Sequence, residues 1–155
     1  MESLTHDTPG TPATSDARVP GPRVTLQVLR VVAVMHALSM IAQSALAGLY
    51  LSGKVDALAA HQINAVIVTL FDLVQVIAAV AFAWKGRGRF WPLWASLAVL
   101  VAGEVQVGVG LEGIVAVHIP LGVSIIAMQI LLTVWLFRSD TAVARVRRPR
   151  GQRVR

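Results

Sequence analysis

The stretch Gly113–Phe137, GIVAVHIPLGVSIIAMQILLTVWLF, decides the fold. A bilayer core about 30 Å thick is crossed by roughly 20 apolar residues of helix, and this run is long enough to do so. Its few polar residues are His118, Ser124, Gln129 and Thr133. An ionisable side chain inside such a helix is costly unless it finds a partner, so His118 marks a candidate site.

Three further apolar runs precede it, at about 24–51, 59–84 and 90–111, with the quoted run itself placed at about 114–137. The links SGKVDAL, KGRGR and the two residues Glu112-Gly113 are short, and short links force antiparallel neighbours. The expected fold class is therefore all-α, an integral membrane up-down-up-down four-helix bundle. Composition agrees: 55% of the 155 residues are apolar and only 14% charged, against about a quarter charged in soluble domains. Residues 1–23 are rich in Pro, Gly, Ser and Thr and read as a disordered tail; residues 138–155 read as a basic C-terminal tail. The small-x-small motif Ala45-Leu46-Ala47 fits a signal-peptide cleavage site, but the run continues to spanning length and reads as a retained helix.

Thirteen of the fourteen Lys and Arg residues fall in the N-tail, the KGRGR loop and the C-tail, leaving Lys54 alone on the other side. Positive charge favours the cytoplasmic face, so both termini are expected there, in a bacterial cytoplasmic membrane. Trp84, Trp91, Trp94 and Trp135 fall at that same interface. The net charge of +6 sits at helix ends, which points to contact with anionic lipid at the C-tail and not to nucleic acid. With no cysteine, disulfides and thiolate chemistry are excluded.

Helical spacing sorts the polar residues onto faces. His61, Asn64, Asp72 and Gln75 share one face of the second helix; His118, Gly122, Ile125 and Gln129 share one of the fourth; His36, Ser39 and Gln43 share one of the first. In the third, Glu104 and Gln106 are two apart, so they cannot both face the centre squarely. At 1.5 Å per residue, His118, Glu104, Gln106 and Gln43 lie about 6 to 12 Å from the outer boundary, with His61 at it. His36, Asp72, Gln75 and Gln129 lie deeper. The segments GLYLSG (48–53) and GVGLEG (108–113) both read G-x-x-L-x-G, and each closes one helix ahead of a histidine in the next. A pseudo-two-fold along the membrane normal would make helices two and four diagonal partners.

Two imidazoles on diagonal helices can ligate one haem iron from both sides. On that reading His61 and His118 are the metal ligands, and Gly122 and Ala65 leave room for the ring edge. Gln43, Gln106 or Glu104 would orient the ligands. Pro120 is expected in the first helical turn, where no donor is lost. The competing reading has each histidine making an interhelical hydrogen bond in a cofactor-free membrane subunit. A third has His36, Asp72, Gln75 and Gln129 as a polar relay for protons or ions, with Asp72 bonded to Gln43 or Gln129 if its role is structural. An enzyme would need a carboxylate at the cofactor, for which Glu104 is the nearby candidate; the balance leans away from catalysis, towards an electron carrier with a redox partner or a homo-oligomeric subunit.

The order AGLYLSG, AAHQINA, VQVIAAV, VGLEG and VAVHIPLGV resembles a group of small four-helix membrane proteins of high-GC bacteria, over residues 30–137. More distantly, the placement of His61 and His118 is similar to one four-helix half of haem A synthase. That resemblance implies haem b held between helices two and four near the outer face. The chain departs from it in having Leu58 three residues before His61, where that family has a glutamate, and Gln62 after it, where that family has an arginine. The family's paired cysteines are also missing.

Overall fold

The computed structural model describes residues 23–142. The N-terminal tail and the arginine-rich end of the C-tail lie outside the described residues. Four helices follow in order, α1 (Arg23–Leu51), α2 (Ala57–Trp84), α3 (Trp91–Leu111) and α4 (Val115–Leu136), and a 3₁₀ turn (Ser139–Ala142) follows the last. Each is long and apolar enough to cross a membrane. The shortest, 21 residues, spans about 31 Å at 1.5 Å per residue. The chain is a multi-pass membrane protein, with four such helices among the described residues.

Neighbours in sequence pack side by side and α1 closes the ring against α4, while the α1/α3 and α2/α4 pairs are diagonals. Around the ring the exposed residues of the spans include Val31, Leu38, Ile63, Ile77, Val101, Val123 and Leu131, a surface suited to acyl chains.

The two G-x-x-L-x-G segments fold alike. Gly53 N–H donates to Tyr50 O and Lys54 N–H to Leu49 O; sixty residues on, Gly113 N–H donates to Gly110 O and Ile114 N–H to Val109 O. Both are Schellman endings, which place the C′ residue in the left-handed region and favour glycine there. Gly53 and Gly113 occupy it, at φ 91° and 69°. The sequence repeat is therefore a repeat of helix termination.

The packed core occupies the end of the bundle where α1 begins and α4 ends, called the inner end for that position alone, the opposite end being the outer one. Leu26, Leu29, Ala33, Ala78, Ala79, Phe82, Leu93, Leu132 and Leu136 form one buried cluster, and Met40, Val99 and Ile125 form a smaller one outward of it. Among the described residues no buried hydrophobic side chain lies outward of those three. The inner end is also tied together. Arg30 Nε donates to Leu136 O at 2.8 Å, with its guanidinium over the Phe137 ring, and Trp91 packs edge-on against Trp135. Asp140 accepts from Arg89, and Thr141 is buried and donates to Trp135 O. Residues 139–142 are thus an ordered turn closing the bundle, where the sequence reads only as tail.

Pro120 differs from expectation. It is the sixth residue of α4, inside the helix, so the carbonyl of Ala116 loses its i+4 donor.

Candidate functional site

Polar side chains collect in two places, an outer cavity and a sealed inner layer. The outer cavity, of about 240 Å³, lies among the outer ends of all four helices and is lined by His61, His118, Gln43, Ala65, Tyr50 and Gln62 among others. His61 on α2 and His118 on α4 meet across the diagonal with ring centroids 6.4 Å apart and planes tilted by 60°.

Hydrogen bonding assigns both rings. Asn64 Nδ2 donates to Ser39 O and to Gln43 Oε1. Gln43 therefore turns its amide nitrogen to His61 Nε2, at 3.1 Å. That ring nitrogen accepts, so the proton sits on Nδ1, which donates to Gln43 O at 3.2 Å. His118 follows the same scheme on the other hairpin. Its Nδ1 donates to Gln106 O at 3.1 Å, while Gln106 Nε2 donates to His118 O at 2.8 Å. Each histidine leans on the backbone carbonyl of a glutamine one helix earlier. They differ at Nε2, which is capped by Gln43 in His61 and has no partner among the described residues in His118.

Gly110 makes room for the second ring. A Cβ there would stand 2.8 Å from His118 Cε1 and 3.0 Å from Nδ1, well inside the 3.5–4.0 Å of ordinary carbon contact. Gly110 carries no pattern by itself, and its neighbour could not be read from the sequence. Gly122, expected at a ring edge, instead seats Gln106, whose Nε2 would lie 2.8 Å from a Cβ at 122. Glu104 does not line the cavity either; it is exposed on α3. The helix rotates Gln106 into the bundle, and a residue two positions away then has to point out of it. The sealed Oε1 of Gln106 has no hydrogen-bond partner among the described residues.

The inner layer takes side chains from all four helices. Gln75 (α2) and Gln129 (α4) exchange amide hydrogen bonds of 3.0 and 2.7 Å. Gln129 Nε2 also donates to Ala33 O on α1. Ser96 on α3 donates to Pro92 O and accepts from Gln75 Nε2. His36 on α1 completes the set, with Nδ1 3.2 Å from Gln75 Oε1. That oxygen can only accept, so Nδ1 carries the proton. His36, Gln75 and Gln129 have no exposed surface. Asp72 meets neither Gln43 nor Gln129 as expected for a structural role; its Oδ1 faces His36 Nε2 at 3.5 Å.

Among the described residues, no three His, Cys, Asp or Glu side chains cluster as ligands for a metal ion. No protein-family model, no curated protein and no solved structure matches the chain.

Proposed function

We propose that this multi-pass membrane protein holds haem b at its outer end, with His61 and His118 as the axial ligands, as an electron carrier or membrane subunit. One observation carries the reading: the two imidazoles face each other across the only part of the bundle that lacks a buried apolar core among the described residues. His61 and His118, whose ring centroids lie 6.4 Å apart, would hold the haem iron between them. Two imidazoles are too few for a bare ion, whereas haem brings four nitrogens of its own.

Both rings also carry the support that axial histidines need. An Nδ1–H bonded to a carbonyl fixes the tautomer and leaves Nε2 for the metal. Haem bound here would supply one-electron chemistry; the chain's part is to hold it, exclude water with the apolar cavity walls and set ligand orientation. Gln43 would have to withdraw its amide from His61 Nε2 for the ligand bond to form. The lysine and arginine split supports cytoplasmic termini in a bacterial membrane, with the basic C-tail on anionic lipid.

A second reading is favoured by that same Gln43 contact. Both nitrogens of His61 are already satisfied, as in a cofactor-free subunit whose histidine bonds only tie α1 to α2. An absorption spectrum of the purified protein supplied with haem decides between them. A Soret band that disappears in His118→Ala supports the haem protein; a wild-type spectrum without one leaves the tying role.

A further inference from the structure

The haem reading makes no use of the inner polar layer, which contains a pair of atoms with unusual surroundings. His36 Nε2 and Asp72 Oδ1 lie 3.5 Å apart, both sealed, and neither has any other hydrogen-bond partner among the described residues. Because Gln75 fixes the His36 proton on Nδ1, Nε2 presents a lone pair to the carboxyl oxygen. If Asp72 were a carboxylate beside a neutral ring, two acceptors would oppose each other in a medium where an unpaired charge is expensive. One added proton changes the contact to attraction, whether it sits on oxygen (Asp–OH to Nε2) or on nitrogen (Nε2–H⁺ to carboxylate). The geometry specifies one proton for the pair.

A route to this proton lies on the α3 side. Oδ1 is sealed, yet the Asp72 side chain keeps 2% of its exposure. Its other oxygen, Oδ2, lies 3.0 Å from where a Cβ at Gly103 would stand. The missing side chain at 103 is what lets α3 pass so close to the carboxyl. Next to it in the chain, Glu104 is exposed on α3. It has no hydrogen-bond or ion-pair partner among the described residues. The pair is His36 from α1 and Asp72 from α2, and α3 brings Glu104, the exposed residue after Gly103. From α4 the facing group is Gln129, which is uncharged.

We propose that Asp72 and His36 form a proton-binding site in the membrane core, loaded through Glu104 past Gly103. The Glu104 carboxyl gives up a proton and becomes a carboxylate; Asp72 Oδ2 gains one. Rotation of the Asp72 carboxyl then turns the O–H toward Nε2, and the charge removed from Asp72 reappears on Glu104 until a proton supplied from the aqueous phase neutralises it. The site rests on the inner layer alone and is independent of haem at the outer end.

Infrared spectroscopy of the full-length protein in lipid nanodiscs tests both halves. In the Glu104→Gln background, which removes the proton donor's own carboxyl, a protonated-carboxyl band is expected that the further change Asp72→Asn removes. On transfer to D₂O its deuterium shift should be several-fold slower in Glu104→Gln, and in Gly103→Val, than in the wild type. A band that survives Asp72→Asn in that background, or no such band before that change, overturns the site, and a wild-type exchange rate in Glu104→Gln overturns the loading route. Should Asp72→Asn fail to fold, nitrogen NMR of His36 in the wild-type protein reads the same proton. Nδ1 protonated throughout, with Nε2 changing in one titration step, supports the site; a proton fixed on Nε2 with Nδ1 bare refutes it.

Discussion

Replacing Gly110 by alanine separates the packing of His118 from every general effect of a glycine in a helix. A Cβ at 110 would stand 2.8 Å from His118 Cε1. Ordinary contact needs about 3.5 to 4.0 Å, so the ring must retreat by roughly 0.7 to 1.2 Å. The Nδ1–Gln106 O bond, now 3.1 Å, cannot survive a retreat of that size away from α3, because hydrogen bonds are lost by about 3.5 Å. Gly108, one half-turn away, is the control, since a Cβ there meets nothing within 4 Å. Both variants gain the same helix propensity, about 1 kcal/mol by soluble-helix scales. Only Gly110→Ala meets the ring, and overpacking of that kind costs about 1–3 kcal/mol. Unfolding of the two variants in detergent should therefore place Gly110→Ala below Gly108→Ala by about that margin. Haem titration followed at the Soret band should show a loss of about 10- to 100-fold in affinity for Gly110→Ala, as for other lost supports of a metal ligand. Equal stability and equal haem affinity in the two variants would refute the account of Gly110 as the seat of the ring.

Gln43→Ala removes the amide that caps His61 Nε2 and keeps the backbone carbonyl that holds Nδ1, so haem titration should show tighter binding than the wild type; weaker binding would mean that Gln43 supports the ligand and does not compete for it. Gln75→Leu deletes four hydrogen bonds in the inner layer. At about 0.6 kcal/mol each within a membrane, the loss is about 2 kcal/mol or more, with His36 Nδ1 left unpaired, and denaturant unfolding in detergent measures it. Orientation is open to a direct test because the chain has no cysteine. Ser52→Cys in intact cells should react with a membrane-impermeant maleimide and Arg89→Cys should not; the reverse pattern would invert the topology.

Different parts of this molecule were legible in the sequence for different physical reasons. Span length, short links and the asymmetry of charge act through whole segments, so the four helices and their antiparallel order could be read residue by residue from composition. Faces were legible too. Helical spacing alone put Asp72 and Gln75 on one side of α2, and depth put His36 and Gln129 beside them. What spacing does not contain is the rotation of one helix against the next. Spacing therefore gives Asp72 a layer shared with His36, Gln75 and Gln129 but not a partner: a structural role is expected to pair it with Gln43 or Gln129, and it faces His36. Glu104 and Gln106 show the same limit: two apart on α3, they present a choice that only the packed neighbour resolves, and Gln106 took the interior by bonding both the ring and the carbonyl of His118.

Glycines were the least legible, because a glycine records where a side chain is missing and not what occupies the space. Gly53 and Gly113 announced themselves through a repeated motif, and their positive φ angles explain it. Gly103, Gly110 and Gly122 sit in ordinary helix and have no such signature, yet each admits a polar group of the neighbouring helix to within about a hydrogen-bond length of its missing Cβ. In a membrane, where apolar burial does not discriminate one helix neighbour from another, close approach and polar contact are what fix the register of packed helices. Here the two coincide: Gly110 admits His118, Gly122 admits Gln106 and Gly103 admits Asp72. The polar groups of this bundle and the gaps that receive them form one arrangement, so a substitution at any of the three glycines should disturb a named polar residue before it disturbs the apolar core.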